Sequence, residues 1–176
     1  KLTKSPFASF IKNDKTSIMG FSPERYLSKN NSKIISQPIK GTSRRSNNRD
    51  EDTYLFNKLL KSQKDISENI MIVDLVRNDL SVTAKSGSVN VDKLCGIYSF
   101  SNVHQMISTI SSELEKEIHF TEVIKTSFPM GSMTGAPKQM ALNLINKFEE
   151  NKRNLYSGSV GYITPNGDFD FNVVIR

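Results

Sequence analysis

Residues 158–176 read "GSVGYITPNGDFDFNVVIR". Two apolar runs, one through Tyr162 and Ile163 and one through Phe169, Phe171 and Val173, flank the dipeptide Asn166-Gly167, whose readiness to take positive φ suits a tight reversal. The stretch therefore predicts two antiparallel strands joined locally, which points away from the regular βαβ alternation of parallel-sheet proteins.

Working back from that hairpin, helices and further antiparallel segments alternate in mixed order. A helix is expected from Pro137 to about Glu149, with Thr134 placed to cap it and Pro137 in its first turn. Before it lies "FPMGSMTGAPK" (128–138), a loop with two glycines and two prolines, and before that a short helix beginning at Thr121. In "SNVHQMISTISSEL" (101–114), alternation places His104, Met106, Ser108 and Ile110 on one face of a strand. Val89 and Val91 start another strand. Ile66, Ile70, Val73, Val76 and Leu80 recur at three- and four-residue intervals, so a helix is expected over about 65–80, exposing Glu68, Arg77 or Asp79. A preceding helix runs through Leu55, Phe56, Leu59 and Leu60, after a polar loop, "SRRSNNRDED" (43–52), whose Asp50, Glu51 and Asp52 suit a helix N-terminus. "KIIS" (33–36) is a short strand ending at Pro38, and Phe7–Ile11 and Ser17–Phe21 form an early hairpin. The fold class is α+β.

Composition narrows the function. With 36% hydrophobic and 24% charged residues over 176 positions, the chain is globular in character, and no apolar run approaches the ~20 residues of a membrane-spanning helix. The net charge of +6 comes from dispersed lysines; only Arg44, Arg45 and Arg49 cluster, and no aromatic residues interleave with them, so a nucleic-acid surface is not expected. The single cysteine, Cys95, excludes an intramolecular disulfide, and a cytoplasmic setting is expected. Because "DFDFNVVIR" stops within a strand-like run, the chain is expected to be a piece of a longer protein.

Four residues and one loop have chemical potential beyond their default readings. Lys40 in "QPIKGTSRR" (37–45) is by default a solvated loop charge. With a reference pKa near 10.4, only about one lysine in 2,500 is neutral at pH 7; cationic neighbours or desolvation would ease nucleophilic use, and Arg44 and Arg45 are close in sequence. Glu24 and Glu68 read by default as surface carboxylates, and His104 as a satisfied core imidazole. Small residues ahead of a helix in "FPMGSMTGAPK" leave backbone N–H groups available to an anion, although the spacing is not that of a P-loop.

"GFSPERYL" (20–27), "PIKGTSRR" (38–45), "SENIMIVDLVRNDLS" (67–81), "VHQMISTI" (103–110), "FPMGSMTGAPK" and "YSGSVGYITPNGDFDFNVVIR" (156–176) stand in the order and approximate spacing of the chorismate-utilising enzymes, and the chain resembles that family over nearly its whole length. The family includes anthranilate, isochorismate, salicylate and aminodeoxychorismate synthases. Lys40 before the Gly-Thr pair, Glu68-Asn69 where other members usually have Glu-His, and Ser132-Met133-Thr134 look like the aminodeoxychorismate branch.

That resemblance implies two facing, mainly antiparallel sheets with helices outside, this chain supplying most of one side. It implies conversion of chorismate and ammonia to 4-amino-4-deoxychorismate on the para-aminobenzoate and folate route. Lys40 would be the nucleophile, Glu24 the general acid and His104 an active-site histidine. Thr42, Ser132, Tyr156 and Arg176 would bind substrate, and Glu68 would ligate Mg2+. Ammonia would come from a glutamine amidotransferase, and a second metal ligand would lie beyond Arg176, leaving residues 1–176 inactive alone. The alternatives are another synthase of the family, or a non-catalytic anion-binding domain.

Overall fold

In the computed structural model, which describes residues 5–176, the Asn166-Gly167 hairpin forms as expected. Strands β8 (Gly161–Ile163) and β9 (Phe169–Asn172) pair antiparallel, with Ile163 opposite Phe169. Gly167 has φ +80 and its N–H donates to the Thr164 carbonyl at 2.9 Å, so Pro165 and Asn166 occupy the central positions of the turn.

The remaining strands are β1 (Phe7–Asn13), β2 (Thr16–Ser22), β3 (Arg25–Asn30), β4 (Lys33–Gln37), β5 (Ile39–Arg44), β6 (Asn90–Ser99) and β7 (Val103–Glu113). β1 and β2 form a separate two-stranded ribbon, the early hairpin of the sequence. The other seven make one antiparallel sheet in the order β5-β7-β4-β3-β9-β8, with β6 on the other edge of β7. β7 is the spine of this sheet. Its early residues pair with β5, its later ones with β4, and β6 runs along its opposite edge. Neighbours on both edges and packing on both faces bury almost every residue from His104 to Ser112, so the predicted inward face of His104, Met106, Ser108 and Ile110 is buried together with most of the alternate face.

Helices α1 (Arg49–Leu60), α2 (Gln63–Ser81), α3 (Phe120–Ser127) and α4 (Lys138–Phe148) complete the fold. α1 begins inside the stretch expected to be loop because the Asn48 side chain accepts from the Asp50 and Glu51 amides, and three acids fill its positive first turn. Ser62 caps α2 in the same manner. The buried face of α2 is Asn69, Ile72, Val73, Val76, Asp79 and Leu80, a rotation from the predicted stripe that leaves Ile70 45% exposed and takes Asp79 inside. These apolar residues meet Leu27, Ile34, Ile110 and Phe169 of the sheet and Val123 of α3 in one core.

β4 ends before Pro38 as expected, but two other expectations need correction. The stretch after Pro38 is not loop: the chain resumes there as β5, and both β4 and β5 pair with β7. Lys40 is therefore a strand residue, not a loop residue. Thr134 does not cap α4; its hydroxyl turns back to the Met130 carbonyl at 3.0 Å, and Pro137 holds the cap position without a side-chain bond. Among the described residues there is one large sheet with helices packed on it, in keeping with one side of the expected two-sheet architecture.

Candidate active site

Lys40 owes its position to a β-bulge. Ile39 lies opposite Ile107 and Thr42 opposite Gln105, so β5 carries one more residue than β7 over this interval. Gly41 takes up the excess at φ +90, and a Cβ there would fall 2.9 Å from Asp65 Cβ and 3.1 Å from Leu59 Cδ1, where the junction of α1 and α2 crosses the strand. The bulge aims the Lys40 side chain out of the regular alternation, and its Nζ donates to the Ser132 carbonyl at 3.4 Å. Arg44 and Arg45 are committed elsewhere. They pair with Glu51 and Asp52 of α1, which also neutralises much of the basic cluster seen in the sequence.

Glu24 sits between β2 and β3 and is 5% exposed. Its carbonyl accepts from the Val173 N–H at 3.0 Å, fixing it under the segment that follows β9. The walls around it come from Tyr26, Leu27, Val76, Met130 and Val173, with Ser132 at one side. Burial pushes its carboxyl up to about 7, against the Ser132 hydroxyl, the Lys40 charge and the Ile39 N–H, which all favour the ionised form. A carboxyl so poised holds or releases a proton near neutrality, unlike the surface carboxylate of the default reading.

Lys40, Glu24 and Ser132 thus form one group. Ser132 lies in a single 3-10 turn, Gly131–Met133, within the glycine-rich loop. Tyr156 and Arg176 form a second group: both line one depression with Gly20, Val160 and Val174. Tyr156 is 51% exposed, and the Arg176 carbonyl accepts from the Phe21 N–H at 2.8 Å. The short segment from Val173 to Arg176 connects the two groups, touching Glu24 at one end and reaching Tyr156 at the other. Thr42 is exposed on β5, on the far side of the bulge from Ile39.

His104 stands apart from the Glu24 enclosure. Its ring is buried, with Nδ1 2.8 Å from Ser99 Oγ and Nε2 3.1 Å from Asp52 Oδ1, and Phe56 packs edge-on against it. Both nitrogens are engaged, the arrangement of a structural imidazole that binds β7 to α1. Arg45 foremost, with the Ser46 amide and His104, holds the Asp52 carboxyl well below its usual range, so Asp52 is a fixed anionic acceptor for the ring.

Glu68 is likewise outside the enclosure, half-exposed on α2 with Lys64 3.9 Å away. Among the described residues no group of three or more acidic, histidine or cysteine side chains could hold a metal ion. The Glu68 carboxylate has the oxygen chemistry a hard divalent cation takes, but among the described residues it does not stand in a group that could complete a metal site.

Several contacts around the site could not be read from the sequence. Lys138 Nζ reaches Asp79 Oδ2 at 2.7 Å and the Ser127 carbonyl at 2.9 Å, tying the end of the glycine-rich loop to α2; desolvation raises the Asp79 carboxyl and Lys138 opposes the rise. Asn69 is fully buried, accepts from Ser108 and Cys95 and donates to the Met106 carbonyl, stitching α2 to β7. One sequence cannot pair residues so far apart.

The candidate site thus gathers a buried carboxyl raised to about 7 beside an amine, with an arginine and a tyrosine on the adjoining segment. The chain belongs to the chorismate binding enzyme family, whose model matches residues 1–176. It is 40% identical over 173 residues to aminodeoxychorismate synthase component 1 of Escherichia coli (strain K12), covering 98% of this chain and 38% of that protein. It is 43% identical over 175 residues to the chloroplastic aminodeoxychorismate synthase of Arabidopsis thaliana, covering 98% of this chain and 19% of that one. The crystal structure of anthranilate synthase component I from Streptococcus pneumoniae TIGR4 superposes with a TM-score of 0.87 at 32% identity, over 98% of this chain and 38% of that one. The chain therefore spans well under half the length of these relatives.

Proposed function

We propose that the protein containing this chain aminates chorismate to 4-amino-4-deoxychorismate. The observation that carries this reading is the Lys40–Glu24–Ser132 group, in which a carboxyl raised to about 7 feels the charge of the Lys40 amine, and that amine bonds to the Ser132 carbonyl at the edge of the carboxyl's enclosure. In the proposed reaction the neutral Lys40 amine bonds to carbon 2 of the ring as the carbon 4 hydroxyl departs. Glu24 gives that hydroxyl its proton, so it leaves as water. Ammonia then bonds to carbon 4, the bond from Lys40 to carbon 2 breaks, and the amine is regenerated.

Arg176 and Tyr156 would hold the enolpyruvyl carboxylate, a planar anion suited to a guanidinium fork. Ser132 and Thr42 would donate hydrogen bonds to the substrate, while His104 would set the relation of β7 to α1 instead of exchanging protons. Glu68 would contribute one oxygen ligand to a Mg2+ ion. That ion supplies positive charge against the ring carboxylate when bound. A glutamine amidotransferase would deliver ammonia, and a cytoplasmic setting suits the free Cys95 thiol; no helix among the described residues is long and apolar enough to cross a membrane.

The test is intact-protein mass spectrometry of the complete protein with chorismate and Mg2+ but without ammonia. A covalent adduct is expected, lost in Lys40→Ala; an adduct elsewhere, or none, refutes the assignment. With ammonium present the product should form without pyruvate. Pyruvate release would instead indicate an anthranilate-type reaction, the reading favoured by the likeness to the S. pneumoniae structure.

A further inference from the structure

The turn that carries Ser132 has little backbone support of its own. Within 128–137, the Met133 and Thr134 amides bond back to Met130 and Gly131, and α4 starts without a side-chain cap. Two consecutive carbonyls of the turn are instead held by cations from different parts of the fold. Ser132 O accepts from Lys40 Nζ at 3.4 Å, and Met133 O accepts from Arg153 Nη1 at 2.8 Å. The same Nη1 lies 3.2 Å from Ser157 Oγ, adjacent to Tyr156. Glu149 fixes the guanidinium from behind, accepting from Nε at 2.8 Å and from Nη2. Ser157, at φ +69, is itself pinned by its N–H to the Val174 carbonyl at 2.8 Å, inside the segment that links Glu24 to Arg176.

We propose that Arg153 is a positioning residue that locks the Ser132-bearing turn to the Tyr156–Ser157 segment, so that the two ends of the substrate site keep a fixed separation. The need for it follows from the other cation. Once Lys40 bonds to substrate its hold on the Ser132 carbonyl is released, and Arg153 is then the side-chain cation left on this pair of carbonyls. Because its fork is occupied on one side by Glu149, one nitrogen bridges turn and segment in a set direction, which a flexible ammonium would not reproduce.

This inference rests on the chorismate reading for its kinetic consequence but not for its structural one. In the complete protein, Arg153→Met is expected to speed amide exchange in residues 128–137 at least tenfold while β7 stays protected. It is also expected to cut kcat by tenfold or more. With the turn loosened, Glu24 gains water, and the alkaline limb of kcat, set by loss of the Glu24 proton near pH 7, should move to lower pH. Arg153→Lys should recover part of both effects. Unchanged exchange in 128–137, or faster exchange spread equally over β7, overturns the proposal, as does a lowered kcat with an unmoved alkaline limb. If the unsubstituted protein consumes no chorismate, the functional reading fails and the exchange measurement alone decides the role of Arg153.

Discussion

Glu24 shows how one residue's surroundings set its chemistry. A glutamate after a proline in sequence carries no mark of burial, yet the segment after β9 and the core face of α2 enclose it and raise its carboxyl to about 7 from an ordinary 4.5. The folded state therefore holds this proton more tightly than the unfolded chain does. The stability this gives is present in full below pH 4.5 and is lost as pH rises to about 7, a change on the order of 3 kcal/mol. Glu24→Gln, which cannot ionise, should remove that part of the slope between pH 4.5 and 7 in denaturant melts, and should be more stable than the parent at pH 8. A variant with the parent's slope would mean that Glu24 is open to water.

At the scale of elements, legibility followed periodicity. α1, α2 and the β8–β9 hairpin could be read because apolar spacing and turn residues repeat locally, and β7 because alternation over eleven residues is hard to mistake. β5 was missed because the bulge at Lys40-Gly41 breaks the alternation that would have revealed it, and the same bulge is what aims the lysine. Asp79 was placed outside because a carboxylate on a helix usually is; its inward position depends on Lys138, 59 residues away. The proposed roles of Lys40 and Glu24 came from motif resemblance, whereas the burial of Glu24 and the Lys40–Ser132 contact came from the fold. Replacing Lys138 by Met should leave the buried Asp79 without its cation and cost about 3 kcal/mol at pH 8. Since the Asp79 carboxyl is already raised by burial, the penalty should shrink as pH falls and the group takes up a proton. Equal losses at pH 5 and pH 8 would show that the pair is not the source.

For the whole molecule, the described residues bring Glu24 and Lys40 together and set Tyr156 and Arg176 at the other end of one segment, but they hold no group of three or more side chains that could bind a metal ion. Residues 1–176 expressed alone should bind chorismate weakly and consume none, while the complete protein turns it over; turnover by the isolated piece would show that no further ligand is needed. One feature bears on when this chemistry becomes possible. Glu24 is closed in by Val173, whose N–H bonds to the Glu24 carbonyl, while Ser22 beside it bonds to the Val173 carbonyl across 151 residues. A ribosome adding about 5–20 residues per second needs roughly 8–30 s to cover that span. Until then nothing encloses the nascent Glu24, so in the proposed reaction Lys40 would have no poised proton donor, and the emerging chain would be unable to start the chemistry before the sheet has closed.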